Sequence, residues 1–274
     1  MVRWSGLTDR GRVRQNNEDA FLALAIDSHE VRYLGKIGEA PLASNDFVFA
    51  VSDGMGGAKS GEIASKLAVD RITQLFPPTL RKSRASKPEA RIEVLNTLFA
   101  SIHQDLTLLS RSYEECSGMG ATLSLCWVAQ DQLYFAHIGD SRIYHYPLAG
   151  GSRQLTDDHN HVGWLRRKGQ INEREARMHP LRHSLHQAMG AGLRHIEPQV
   201  GTVPYAVGDR FLLCSDGVID GLWDRNLDEL IRETPVTPGK SVAQRIVEEA
   251  IEKSGRDNAT AVVLEFLLPE AASP

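Results

Sequence analysis

Apolar positions follow two periods along this chain, and the periods change in blocks rather than alternating. Phe21 to Ile26 is an early apolar segment, and Val48 to Val51 an unbroken one that reads as a buried strand ending at Asp53. Ile63, Ala64, Leu67, Ala68, Ile72, Leu75 and Phe76 then share one helical face, opened by Ser60 and Glu62 and stopped by Pro77-Pro78. Ser86-Lys87-Pro88-Glu89 is a capping box. Behind it Ile92, Leu95, Phe99, Ile102, Leu106 and Leu109 predict a helix of about six turns, with His103 on its surface. From Gly118 the period becomes two, predicting long strands over Ala121 to Ala129 and Leu133 to Tyr146, joined at Gln130-Asp131-Gln132. Arg210 to Ser215 is a further strand, Leu227 to Ile231 a short helix, and Val242 to Ile251 a longer one. Ala259 to Leu268 is the last strand. Asp27 to Asp46, polar with Gly35, Gly38 and Pro41, predicts a surface hairpin or loop insertion. Arg81, Lys82, Arg84 and Lys87 predict a basic loop. Strands and helices in separate blocks favour α+β layers over a Rossmann sheet.

Composition narrows the class. The chain has 274 residues, 42% hydrophobic and 24% charged, enough to bury a full core. A net charge of −4 gives no electrostatic footprint for nucleic acid or an anionic membrane. The apolar runs are too short to span a bilayer, and no signal-peptide pattern opens the chain. Cys116, Cys126 and Cys214 lack CxxC spacing and sit in or beside apolar runs, so buried free thiols in the cytoplasm are expected.

The chemistry is concentrated where apolar runs stop. Asp53-Gly54-Met55-Gly56-Gly57, Gly139-Asp140-Ser141 and Ser215-Asp216-Gly217 each place an aspartate after a strand. Asp-Gly is also a common tight-turn dipeptide, but three repeats on rigid mounts suit the oxygen ligands that hard divalent cations prefer. Gly57-Ala58-Lys59-Ser60 is no Walker loop, because Ala58 and Asp53 stand where that motif needs glycine. Arg14, four residues before Glu18, is either a surface ion pair or a phosphate clamp. His159, His161, His179, His183 and His186 match no closed zinc spacing, and HExxH is absent. Residues 157–182 read instead as a helical excursion beside a cleft, with Arg166, Arg167, Lys168, Arg174, Arg177 and Arg182 placed to touch substrate.

Arg14-x-x-x-Glu18-Asp19, Asp53-Gly54-Met55-Gly56-Gly57, Gly139-Asp140-Ser141-Arg142, Ser215-Asp216-Gly217 and Asp257-Asn258 stand in one order from Leu7 to Leu268. This order resembles the PPM (type-2C) metal-dependent serine/threonine protein phosphatases, the short bacterial members above all. The resemblance implies a central antiparallel β-sandwich with helices on both outer faces. It implies one phosphatase domain over residues 1–270, a flap at 157–182 and a frayed tail at 271–274. It also implies that Asp53 bridges two Mn²⁺ or Mg²⁺ ions, with the Gly54 carbonyl, Glu18 or Asp19, Asp216 and Asp257 completing the shell. Asp140 with Asp216 would hold a third, weaker ion, and Arg14 the substrate phosphate.

Two cations about 4 Å apart would lower the pKa of a bridging water and clamp an in-line displacement at phosphoserine or phosphothreonine. The expected setting is a cytoplasmic monomer that opposes a serine/threonine kinase and acts on phosphoproteins, without nucleic acid or membrane. Met55 departs from relatives that carry a histidine there as a proposed general acid, since a thioether has no proton to give. The rival readings are a silent phosphoprotein-binding or scaffold module and a phosphatase of small metabolites. Silent members usually lack metal carboxylates, and none is missing here.

Overall fold

The computed structural model describes residues 1–27, 30–43, 45–83, 88–129, 132–233 and 239–268. The first half carries β1 (Val2–Asp9), β2 (Asp19–Ile26), β3 (Val31–Tyr33), β4 (Ile37–Ala40) and β5 (Asp46–Met55). Helices α1 (Ala58–Ser83) and α2 (Pro88–Ser112) follow, then β6 (Gly120–Ala121), β7 (Leu123–Val128), β8 (Leu133–Ile138), β9 (Arg142–Tyr146) and β10 (Arg153–Gln154). After the short α3 (His161–Arg167) and α4 (Glu173–Met178) come β11 (Met189–Gly190), β12 (Gln199–Val203) and β13 (Arg210–Cys214). The chain then runs through α5 (Asp216–Gly221), α6 (Asp224–Arg232), α7 (Val242–Lys253) and β14 (Ala259–Phe266).

Two antiparallel sheets form. One has the order β10-β9-β13-β14-β1-β4; the other runs β11-β6-β5-β7-β8-β12, with β2 beside β5 and β3 beside β2. Strand periodicity builds the layers. Phe47, Phe49 and Val51 of β5 point into the core between the sheets, where they meet Trp4, Phe211, Leu213, Val262 and Leu264. Val48 and Ala50 point the other way, into a core with Ala64, Ala68 and Ile72 of α1 and Leu95, Phe99 and Ile102 of α2. A strand buried on both faces needs an unbroken apolar run, which explains the sequence of β5. A third core packs Leu212, Cys214, Ala261 and Val263 against Val218, Leu227, Ile246 and Val247 of α5, α6 and α7. The result is the expected α-β-β-α sandwich. All three cysteines are buried free thiols.

Several boundaries differ from expectation. Helix α1 continues through Pro77-Pro78 to Ser83 and takes Arg81 and Lys82 with it. Proline's fixed φ is itself helical, so the cost is two missing amide donors rather than a forced stop. Leu133 to Tyr146 is two strands in different sheets, because Gly139 takes φ +108° and swings the chain across at Asp140. The segment from Asp27 to Asp46 extends both sheets, β3 pairing with β2 and β4 with β1. His103 is buried rather than exposed, its Nδ1 accepting from the Gly190 amide at 3.0 Å. Ser86, Lys87, Arg84, Gln130, Asp131 and the 271–274 tail lie outside the described residues.

Candidate metal centre

Six carboxylates from five places in the chain meet at one end of the sandwich. Asp53 lies late in β5, and Asp19 opens β2 directly opposite it in register. Asp140 sits in the crossing between β8 and β9, Asp216 begins α5, and Asp257 precedes β14. Arg14, Glu18, Asp53, Gly54, Asp140, Asp216 and Asp257 line one cavity of ≈ 590 Å³, with Met55 in its wall. Asp19 lies beneath, 5% exposed.

Two glycines make this convergence sterically feasible. A Cβ on Gly54 would meet the Gly61 carbonyl oxygen at 1.9 Å, so only glycine lets the first turns of α1 press against β5. A Cβ on Gly217 would meet the Asn258 carbonyl oxygen at 1.9 Å, so glycine again lets α5 approach the turn bearing Asp257. The Asp-Gly step at Asp53 is therefore no turn. Strand β5 runs on to Met55, and the reversal falls at Gly56 and Gly57, with φ of +113° and +94°.

Neutral polar residues hold the carboxylates in place. The Asp53 amide donates to Thr122 Oγ1 at 3.0 Å, and that oxygen lies 2.6 Å from Ser141 Oγ, beside Asp140. Ser215 and Thr260 each donate to Asp19 Oδ2 at 2.6 Å. Asn258 accepts from the Glu18 amide at 2.7 Å and donates to the carbonyls of Arg10 and Asn16 at 2.9 and 3.0 Å. It thereby fixes the loop that carries Arg14 and Glu18. Arg14 pairs with Asp257 at 2.7 Å rather than with its sequence neighbour Glu18.

This much negative charge is costly without cations. Burial pushes Asp19 up to about 7, even though Ser215 and Thr260 pull it down. Burial first, then Asp19, Asp216, Asp140 and Asp257, hold Asp53 well above the usual carboxylate range. Asp140 is raised likewise, by burial and then by Asp216 and Asp158. Asp19 Oδ1 and Asp216 Oδ1 are buried without a hydrogen-bond partner. Orphaned carboxylate oxygens facing like charges fit hard divalent cations.

Sequence reasoning missed His183 here. Its Nδ1 lies 3.3 Å from Asp216 Oδ2, and the bond to Asp216 raises its pKa. Asp140, His183 and Asp216 offer ligand atoms within 4.8 Å of one another, the one such group found among the described residues. The other four histidines of the 159–186 stretch are not in it. His159 instead takes the Gly139 amide on Nδ1 at 3.1 Å, and burial lowers its pKa to about 4.

Residues 157–182 form an excursion carrying α3 and α4 that is pinned at its base. Asn160 caps α3 by accepting from the Gly163 amide at 2.7 Å and donates to the Arg182 carbonyl at 2.9 Å, closing both ends of the excursion. Arg142 holds the first end through a two-pronged pair with Asp158, at 2.8 and 2.7 Å. Several of the expected substrate-facing cations are engaged within the excursion or against α6 and the residue before it. Arg166 pairs with Asp224, Arg167 with Asp157, and Arg177 with Glu173 while stacking over Trp223 at 4.4 Å.

Comparison with known proteins agrees with this geometry. The family profile of protein phosphatase 2C matches residues 39–253. The serine/threonine phosphatase stp of Listeria monocytogenes is 31% identical over 261 residues, spanning 94% of this chain and 93% of that protein. The crystal structure of the Mycobacterium tuberculosis serine/threonine phosphatase PstP/Ppp superposes with a TM-score of 0.77 at 28% identity, over 97% of this chain and 99% of that one. A structure of the PstP catalytic domain in complex with two manganese ions gives 0.75 at 28% identity, over the same shares of the two chains.

Proposed function

The chain belongs to the protein phosphatase 2C family, and from that premise we propose that the carboxylate cavity hydrolyses phosphoserine and phosphothreonine on proteins. The observation that carries this reading is the convergence of Glu18, Asp19, Asp53, Asp140, Asp216 and Asp257, with buried oxygens on Asp19 and Asp216 left unpartnered. In this reading Asp53, the Gly54 carbonyl, Glu18 or Asp19, Asp216 and Asp257 would hold two Mn²⁺ or Mg²⁺ ions, with Asp53 shared between them, and Asp140 with Asp216 would hold a weaker third, with His183 in reach. Divalent cations, when bound, supply an acidified water and charge neutralisation for in-line displacement at phosphorus.

The chain's own groups position and shield. Arg14 stands at the cavity rim with its side chain 47% exposed, one of its five donors engaged by Asp257 and the rest available to a phosphoryl group. Thr122 and Asn258 fix Asp53 and Glu18, so that little reorganisation accompanies substrate binding. Met55 in the wall gives no proton.

Residues 1–270 act as one phosphatase unit in this reading, with 157–182 as its flap. It works as a cytoplasmic monomer on phosphoproteins of a serine/threonine kinase pathway, apart from nucleic acid and membrane. The net charge of −4 supports the separation from nucleic acid and anionic membrane. A silent scaffold is disfavoured because every expected carboxylate is present. The test is Mn²⁺-dependent phosphate release from a phosphothreonine peptide, set against common phosphometabolites. Preference for the peptide is expected, and equal or better turnover of a metabolite would overturn the protein-phosphatase reading.

A further inference from the structure

Near the metal cavity, lined in part by residues of the 157–182 segment, lies a second cleft with the opposite charge. It has ≈ 590 Å³ of space and is lined by Arg177, Arg182, Lys253 and Arg256, with Asp220 and Trp223. Four cations against one carboxylate stand out on a chain whose net charge is −4. Lys253 and Arg256 are exposed and have no partner among the described residues. Arg182 Nε is buried without a hydrogen bond, its nearest carboxylate being Asp220 at 4.0 Å. Arg177 is held rigid by Glu173 and by the ring of Trp223, which is itself 42% exposed. Lys253 and Arg256 thus keep unspent donors beside two guanidiniums already held in place, an arrangement that suits an anion arriving from outside.

The cleft is connected to the metal cavity. Arg177, Arg182 and Asp220 also line an intervening cavity, together with Asp140, His183 and Asp216. Helix α5 measures the separation. Asp216 at its start faces the metal cavity, and Gly221 at its end lines the basic cleft. Five helical steps span ~7.5 Å at 1.5 Å per residue. An extended peptide covers ~7 Å in two residues and ~10 Å in three.

We propose that this cleft binds a second phosphoryl group on the substrate, carried two or three residues from the phosphoresidue being hydrolysed. The inference rests on the phosphatase reading above and adds its substrate class: doubly phosphorylated segments. A phosphate dianion, with three acceptor oxygens, matches guanidinium forks and an ammonium better than a carboxylate does, and tolerates the neighbouring Asp220 at lower net cost.

The test compares four substrates with the Mn²⁺-loaded protein: an aryl phosphate, a phosphothreonine peptide, the same peptide with a phosphoserine two or three residues away, and that peptide with glutamate in place of the phosphoserine. Wild type is expected to favour the doubly phosphorylated peptide roughly five- to tenfold in KM. The Lys253→Ala/Arg256→Ala double variant should lose most of that preference while hydrolysing the aryl phosphate as before, which also reports that it is folded. Equal KM for singly and doubly phosphorylated peptides in wild type, or a preference surviving in the variant, would overturn the proposal. A glutamate peptide as good as the doubly phosphorylated one would overturn the phosphate assignment. If wild type fails on the aryl phosphate, the phosphatase reading itself falls.

Discussion

Ser215 donates its hydroxyl to Asp19 Oδ2 across 2.6 Å, joining the residue that follows β13 of one sheet to the first residue of β2 in the other. Thr260 donates to the same oxygen, so Oδ2 is fully held while Oδ1 is left free at the base of the cavity. One carboxylate thus clamps the sheets through one oxygen and offers the other to a cation. Removing the hydroxyl with Ser215→Ala deletes a buried bond to a charged group, worth about 1.5–3 kcal/mol. Without divalent ions the melting temperature should drop by roughly 3–10 °C. Mn²⁺ affinity by titration calorimetry should also weaken, because Asp19 is no longer aimed. An unchanged melt and unchanged affinity would show that Thr260 alone suffices.

Asn258 makes a sharper case, since it does not line the cavity yet bonds two expected ligands, taking the Glu18 amide on its side chain and giving its own amide to Asp257 Oδ1 at 2.9 Å. Its three bonds to the loop of residues 10–18 position Arg14 and Glu18 together. Asn258→Ala should therefore lower kcat/KM by about tenfold or more while the melt falls only a few degrees. Loss of fold in proportion to activity would reduce Asn258 to a packing residue.

How much of this could be read from the chain alone follows from what is local. The apolar run before Asp53 and the glycines behind it are legible because strand periodicity and side-chain-free backbone are properties of neighbouring residues. The split at Gly139 was hidden because a single glycine inside an alternating pattern looks like a flaw in one strand. Arg14 was expected beside Glu18, four residues on, yet its carboxylate partner is Asp257, a choice made by the register of β1 against β14. Thr122 and Thr260 gave no signal, and His183 stood only among histidines whose spacing matched no zinc site, since isolated polar residues acquire meaning only from what the fold sets opposite them. Ser215 and Asn258 did stand inside the quoted motifs, and their adjacency to aspartates was the available clue.

The raised carboxyls give stability a definite pH signature. Asp19, at about 7, binds its proton more tightly in the folded state than in the unfolded one, near 3.9, and Asp53 and Asp140 shift the same way. The contribution of Asp19 is fully present below about pH 4 and is lost as pH rises through 7, and Asp53 and Asp140 add to it with the same sign. In EDTA, the melting temperature should fall between pH 5 and 8. With saturating Mn²⁺ it should not, because cation binding displaces those protons and strengthens with pH. Melts recorded at half-unit steps with and without Mn²⁺ check this, and a gap constant across the range would contradict it.

The Arg142–Asp158 pair, each side chain 10% exposed, anchors the start of the 157–182 excursion. Burial alone would push Asp158 up, but Arg142 overcomes it and holds the carboxyl below its ordinary value. Arg142→Ala leaves that charge buried and unpaired, at a cost of about 3–5 kcal/mol. The melt should fall by roughly 6–20 °C, and proteolysis should cut first between residues 161 and 182. Arg142→Met with Asp158→Leu should recover much of the loss, since neither charge is then stranded. Failure of the double variant to recover would mean that the pair serves packing geometry rather than charge.

Arg14 has two roles that one substitution separates. It is placed to bind the substrate phosphate, and it neutralises Asp257 at 2.7 Å. Removing a positive charge from a carboxylate cluster strengthens its pull on cations, so Arg14→Ala should leave Mn²⁺ affinity unchanged or raised. The same variant loses a charge-assisted contact that exists in ground and transition states alike, so KM for a phosphopeptide should rise about tenfold with a smaller fall in kcat. Arg14→Lys should recover part of KM, because a point charge replaces the fork. Steady-state kinetics paired with Mn²⁺ titration decides between the roles. A collapse of Mn²⁺ binding would show that Arg14 serves to hold Asp257 in place, and a fall in kcat at constant KM would place its contribution in the transition state alone.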